Sequence, residues 1–179
     1  MRRTIHNPIL NDTVTFLRTS AESGGAITEL EATVMPGGGN PPHFHGTYDE
    51  TITVLEGVIR LKLANGVHDL SLGKSYVIKA GQVHSLSNAT DAPARLRTQI
   101  SPGNEGFENA LRIMCGLASD GLYNQRKMPH SLQHLAICAS ISDTWLSGPL
   151  SWLNVPLRIV ARLARWRGVE ERLCLTYCV

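Results

Sequence analysis

The sequence predicts a mostly β fold, a barrel or sandwich over residues 1–102, followed by a helical extension over residues 103–179; three observations carry that division. Before residue 102, short runs rich in β-branched residues are separated by Gly, Pro, Asn and Asp, the punctuation of an all-β domain. Inside those runs apolar and polar residues alternate with period two, as a half-buried strand requires. After "SPGNEG" the apolar spacing changes to three and four, the period of a helix packed on one side. A chain of 179 residues is long enough for one well-filled core with a small appendage, and too short for a second full domain.

The strands follow in order. "DTVTFLRT" at 12–19, "ITELEATVM" at 27–35, "ETITVLEG" at 50–57, "VIRLKLA" at 58–64, "SYVIKA" at 75–80, "VHSLSN" at 83–88 and "ARLRTQI" at 94–100 are the strand candidates. In "VIRLKLA", Ile59, Leu61 and Leu63 share one face and Arg60 and Lys62 the other. Asn65-Gly66 then reads as a two-residue hairpin turn leading into "VHDLSL". Beyond residue 102, "FENALRIMCGLASDG" sets Phe107, Leu111, Met114 and Leu117 at helical spacing, with Gly121 as the stop. "SLQHLAICASIS" gives a second helix after Pro129. "PLRIVARLARW" gives a third, with Leu157, Val160 and Ala164 on one stripe and Arg158, Arg162 and Arg165 on another.

Charge and cysteine usage narrow the function classes. A formal net charge of +2, without a basic run interleaved with aromatics in the first hundred residues, speaks against nucleic acid as a partner. The start, "MRRTIHNPILNDTVTF", turns polar after a few apolar residues and lacks the apolar core of an export signal, so a cytoplasmic protein is expected. Cys115, Cys138, Cys174 and Cys178 form no CxxC pair and are read as structural thiols.

The chemistry concentrates in "PPHFHGTYDE" at 41–50. Side chains two apart on a strand point the same way, so His43 and His45 reach one point if "PHFH" is extended. Glu50 has the wrong parity for an unbroken strand, and the intervening "GTYD" must turn or bulge, for which Gly46 and Asp49 are suitable. From Gly37 the spacing is five residues to His43, one to His45, four to Glu50 and six to Gly57. A second run goes from Gly73 by five residues to Lys79, Ala80 and Gly81, by two to His84 and by three to Asn88.

These two runs resemble the paired signatures of the cupin superfamily, over roughly residues 25–101. Lys79 stands where that family usually has a proline. The resemblance implies a double-stranded β-helix, or jelly-roll barrel, with His43, His45, Glu50 and His84 turned inward to one divalent metal. The segment "EGFENALRIMCGLASDG" and the tail after it look like those of small bacterial-type, single-domain cupins with a helical C-terminal extension. Three imidazoles and a carboxylate suit a first-row ion, with Fe(II) or Mn(II) first and Ni(II), Co(II) or Zn(II) as alternatives.

The leading functional expectation is a metal-dependent dioxygenase acting on a small organic substrate that chelates the metal, with Glu50 as shuttle base and Tyr48 as a second catalytic candidate that packing would equally explain. A non-redox isomerase or lyase on a keto-sugar or hydroxy acid, and a non-catalytic sensing module, are the alternatives. Asn88 is expected to bond backbone, and Gly37, Gly57, Gly73 and Gly81 to serve as turns. Arg95, Arg97 and Gln99 are read as an outward stripe, and His130 and His134 as surface or interhelical residues. For the apolar and arginine-rich stretch from Trp152 to Trp166, docking on the barrel or on a second subunit is preferred to a membrane surface, and a homodimer is expected.

Overall fold

Period-two alternation becomes two facing antiparallel sheets in the computed structural model, which describes residues 2–179. The strands before the helices are β1 Thr4–Asn7, β2 Asp12–Arg18, β3 Thr28–Val34, β4 His43–His45, β5 Asp49–Glu56, β6 Val58–Leu63, β7 Gly66–Ser71, β8 Ser75–Ile78, β9 His84–Ser87 and β10 Ala94–Ser101. There follow α1 Glu105–Ser119, α2 Leu132–Ile141, a late strand β11 Thr144–Leu146, a 3-10 turn Gly148–Leu153, α3 Asn154–Trp166 and α4 Val169–Tyr177. One sheet runs β1-β2-β3-β10-β5-β8 and the other β11-β4-β9-β6-β7. Together they make a jelly-roll barrel with a helical C-terminal portion. Among the described residues, no helix is long and apolar enough to cross a membrane.

The barrel core is the inward half of each alternating strand. Ile52 and Val54 of β5, Ile59 and Leu61 of β6, Ile78 of β8 and Leu96 of β10 are buried together between the sheets. Each such aliphatic side chain contributes about 1.5–3 kcal/mol relative to exposure. Glu50 occupies the inward position of β5 just before Ile52 and Val54, so the strand's own periodicity turns a carboxylate into the barrel. The outward half of β10 is solvated: Arg95 and Arg97 pair with Glu29, Glu31 and Glu56 across neighbouring strands. At this exposure such pairs add little stability.

Several elements depart from the sequence expectation. The β6–β7 hairpin pairs Leu63 with Gly66, so its two-residue turn is Ala64-Asn65, one residue earlier than predicted. Gly66 instead opens β7 at φ +143, a backbone state that its missing Cβ permits. In α1 the buried residues are Glu108, Ala110, Arg112, Ile113, Cys115, Leu117 and Ala118, whereas Phe107, Leu111 and Met114 are only half-buried. The predicted stripe is displaced because α1 is covered on two sides. Ala110, Ile113 and Leu117 face the helical core, while Arg112 lies over the Phe16 ring of β2, 4.0 Å from its centroid.

The helices have a core of their own, built from α1, α2, α3 and α4 around Ile113, Leu117, Ile137, Ala161, Ala164 and Leu173. Gly116 lets α4 approach, since a Cβ there would stand 2.1 Å from the Tyr177 ring. The four cysteines are free thiols, and burial pushes Cys138 and Cys178 up to about 12. The extension is not confined to helices: β11 pairs with β4, matching Thr144 to His45, Trp145 to Phe44 and Leu146 to His43.

Candidate metal centre

Strand pairing brings the histidines together. His43 and His45 are two apart on β4 and both face inward, and His84 of β9 sits directly across from His43 in the antiparallel register. One ring nitrogen from each of the three lies within 4.8 Å of those of the other two. Glu50 enters from the opposite sheet, with Oε2 at 3.2 Å from His84 Nε2 and 3.6 Å from His45 Nε2. The turn that corrects its parity is made by Gly46, Thr47 and Tyr48. Asp49 is the first residue of β5 and receives Lys79 Nζ and the Ala80 amide, so it secures the strand start rather than the bend.

The second nitrogen of each ring is held by its surroundings. His43 Nδ1 donates to the Pro41 carbonyl at 2.8 Å and His84 Nδ1 to the Gln82 carbonyl at 3.0 Å. His45 Nδ1 lies 2.8 Å from the Tyr48 hydroxyl, which itself donates to the Ser142 carbonyl at 2.9 Å. The hydroxyl proton being spent on Ser142, the His45 Nδ1–H is the donor to Tyr48. All three rings are thereby fixed in the tautomer that leaves Nε2 as a lone pair.

That arrangement fits a metal cation. His43 Nε2 and His45 Nε2 stand 3.1 Å apart, lone pair against lone pair. His84 Nε2 is buried without a hydrogen-bond partner, because its near neighbour Glu50 Oε2 is an acceptor as well. Positive charge at the centre, as a metal ion or a proton, relieves both contacts. Burial, with His84 and His45 close by, pushes His43 down to about 4, keeping it a neutral ligand. Burial also opposes the charge on Glu50, but His45 and His84, once a proton at Nε2 makes them cationic donors, outweigh it and hold the carboxyl at about 2.

The remaining expected residues take structural places. Tyr48 is buried, stacked on His45 at 4.6 Å between ring centroids, with its hydroxyl committed to His45 and Ser142; it is a positioning residue and not one aimed at substrate. Burial and the Glu50 and Asp143 carboxylates raise its pKa far above the ordinary tyrosine value. Asn88 donates to the Val34 and Ala92 carbonyls and accepts from Thr90. Lys79, in the position where a proline was expected, uses the N–H a proline lacks to bond Gln82 Oε1 at 3.1 Å. The same turn carries Gly81, whose amide donates to the His45 carbonyl at 2.6 Å. His130 is exposed and His134 half-buried, both in the helical portion.

Sequence reasoning missed Asp143. Its Oδ2 accepts from the Gly46 amide at 2.7 Å and from Thr47 Oγ1 at 2.8 Å, and its Oδ1 from the Trp145 indole at 2.6 Å. The late strand thus clamps the turn between His45 and Glu50 from outside. The signal in "SDTWL" is too short for periodicity to reveal.

Comparison with known proteins follows this geometry. Residues 30–100 match the family model described as "Cupin domain". Germin-like protein 5-1 of Oryza sativa subsp. japonica is 34% identical over 81 residues, which cover 41% of this chain and 35% of that protein, so the match spans about a third of the curated relative. A cupin-superfamily sugar phosphate isomerase from Silicibacter pomeroyi shares 25% identity at a TM-score of 0.46, covering 53% of this chain and 62% of that one. The polyketide cyclase RemF from Streptomyces resistomycificus gives 25% identity and a TM-score of 0.46, with 50% and 64% covered. With its paired histidine strands inside a jelly roll, the segment from β3 to β10 is what matches the cupin domain, and this chain is similar to cupins over that segment.

Proposed function

We propose that His43, His45, His84 and Glu50 hold one divalent transition metal, Fe(II) or Mn(II) by preference, and that the protein is a metal-dependent dioxygenase acting on a small organic substrate that chelates the metal through adjacent oxygens. The observation that carries the reading is the convergence of three Nε2 lone pairs whose Nδ1 atoms are already engaged. Nitrogen-rich donors without a thiolate suit first-row ions over Ca²⁺, Mg²⁺ or copper(I). When bound, the metal supplies Lewis acidity and, as iron or manganese, the redox access that O₂ chemistry needs. The chain's own part is orientation and proton handling. Tyr48 and the Pro41 and Gln82 carbonyls fix the imidazoles, and Glu50, a carboxylate at neutral pH, can accept a substrate proton at Oε2.

The test starts with metal content, by mass spectrometry, of untagged protein purified anaerobically beside a His84→Ala variant. Close to one iron or manganese per chain, lost in the variant, is expected. Oxygen uptake by iron-loaded protein is then screened with diketones, flavonols, thiols and catechols. No uptake with any of them overturns the dioxygenase, and turnover that persists anaerobically with Zn(II) assigns non-redox chemistry to the same site.

A further inference from the structure

The helix α3 has two apolar faces, and only one of them is used. Leu157, Val160, Ala161 and Ala164 pack into the helical core. On the other side Trp152, Val155, Ile159, Leu163 and Trp166 recur at spacings of three and four, a continuous stripe. All are exposed, from Leu163 at 50% to Trp166 at 84%, and Leu150 extends the stripe at 55%. The first face packs on the other helices, not on the barrel where the sequence placed it, and the second is left bare. An apolar run of this size on a surface marks a site of interaction.

Charge identifies what covers it. From Thr144 to Val169 the chain has four arginines, Arg158, Arg162, Arg165 and Arg167, and no Asp or Glu. Arg158 lies over Trp145 at 4.3 Å and Arg165 pairs with Glu170 at 2.5 Å. Among the described residues Arg162 and Arg167 have no ion-pair partner, and both are exposed. A second copy fits this face poorly. It would bring the same acid-free segment against its twin, and the 152, 155, 159, 162, 166 seam carries Arg162 where a helix pair needs an apolar residue. A lipid surface meets both features: aliphatic and indole groups enter the headgroup boundary, and guanidinium groups reach anionic phosphates beside it.

We propose that α3 is an interfacial helix that seats the protein on the surface of a bilayer containing anionic lipid, its Trp152–Trp166 stripe in the acyl boundary and Arg162 and Arg167 on the headgroups. The helix lies along the surface and does not span it, consistent with its 13 residues. None of the stripe residues belongs to the cluster of His43, His45, His84 and Glu50.

The experiment is flotation of the full-length protein with phosphatidylglycerol/phosphatidylcholine vesicles and with pure phosphatidylcholine vesicles, with tryptophan emission followed in parallel. Flotation with the anionic vesicles, roughly tenfold or more stronger than with neutral ones given two free guanidinium groups, and a blue shift from Trp152 and Trp166 are expected. An Ile159→Ser/Trp166→Ser variant, altered only at exposed positions and checked for an unchanged melting curve, should lose flotation with both vesicle types. Arg162→Gln/Arg167→Gln should lose only the anionic preference. Equal binding to both vesicle types overturns the headgroup assignment. Protein that stays soluble with anionic vesicles overturns the proposal, and a concentration-dependent dimer abolished by the serine variant would then assign the stripe to a second copy.

Discussion

His45 is the ligand candidate whose outer nitrogen depends most on a side chain. His43 and His84 are set by carbonyls two residues upstream, in the loops leading into their strands, while His45 Nδ1 relies on the Tyr48 hydroxyl at 2.8 Å, with the Asp143 carbonyl and Thr144 Oγ1 farther away at 3.3 Å. Outer partners of this kind are worth about 10–100-fold in metal affinity. Tyr48→Phe keeps the stacked ring and removes the acceptor, so it should weaken metal binding toward the lower end of that range while leaving the unfolding transition nearly unchanged. Chelator competition measures it, and wild-type affinity would show that Asp143 and Thr144 suffice. The Glu50–His84 contact gives a pH signature in the metal-free protein. Glu50 sits at about 2 against an ordinary 4.5, so its contribution is present above 4.5 and is lost as pH falls through the lowered value. Burial works against charge on His84, but Glu50 and the Gln82 carbonyl raise it above its ordinary 6.5. Its contribution is therefore complete below 6.5 and is lost as pH rises through the raised value. Thermal melts of metal-free protein should show this pair's stabilisation fully present between 4.5 and 6.5, and Glu50→Gln should flatten that window. Strand parity, a local property, made the His43/His45 pair legible in the sequence, whereas Glu50, of the wrong parity, and His84, on another strand, were joined to it only through the resemblance to the cupin signatures. The commitment of the Tyr48 hydroxyl was not legible, because its acceptor Ser142 is 94 residues away in sequence.

Among elements, β11 shows how a short strand can govern a site it does not enter. It pairs with β4 on the edge opposite β9, so the strand bearing two of the histidines is held from both sides. Asp143, at φ 51, is a non-glycine residue in the left-handed region, and its side chain takes three donors from the turn and from Trp145. Two substitutions separate backbone from side chain. Asp143→Gly removes the hydrogen bonds but suits the backbone, and should cost about 1.5–3 kcal/mol, the value of hydrogen bonding to a charged group. Asp143→Ala removes the same bonds and keeps the strained φ without the carboxylate that tolerates it, adding roughly 1 kcal/mol. Denaturant unfolding compares them, and hydrogen exchange should rise at Gly46, Thr47 and Tyr48 in both. Two variants as stable as the wild type would mean the turn holds itself. The long strands and α1 to α3 were readable because each repeats its pattern over enough residues to set a period. The three residues of β11 and the two-sided burial of α1 depend on partners in other elements, which no local window contains.

Across the whole molecule, the barrel and the helices are joined at a buried charge. Glu108 of α1 accepts the Ser20 amide at 2.6 Å, from the connection between β2 and β3, and Thr28 Oγ1 at 2.7 Å, from the first residue of β3. Its other oxygen faces Arg112 at 3.6 Å, one helical turn on, and the guanidinium rests on Phe16. Both side chains are almost wholly buried, and Arg112 Nε and Nη1 have no hydrogen-bond partner. Glu108 is thus the only carboxylate within ion-pair distance of Arg112 among the described residues, and also the acceptor that ties α1 to the first sheet. Removing one member of a buried pair leaves the other's desolvation uncompensated, at about 3–5 kcal/mol. Glu108→Ala should therefore destabilise the protein by that amount, a large part of a typical domain's total stability. Replacing both, as Glu108→Gln with Arg112→Met, keeps the Ser20 and Thr28 bonds and removes both charges, and should recover most of the loss. Chemical unfolding of the two variants decides it. If the double variant is no better than Glu108→Ala, the charge pair is not what links the halves, and the hydrogen bonds to Ser20 and Thr28 with the packing of Arg112 on Phe16 must carry the junction.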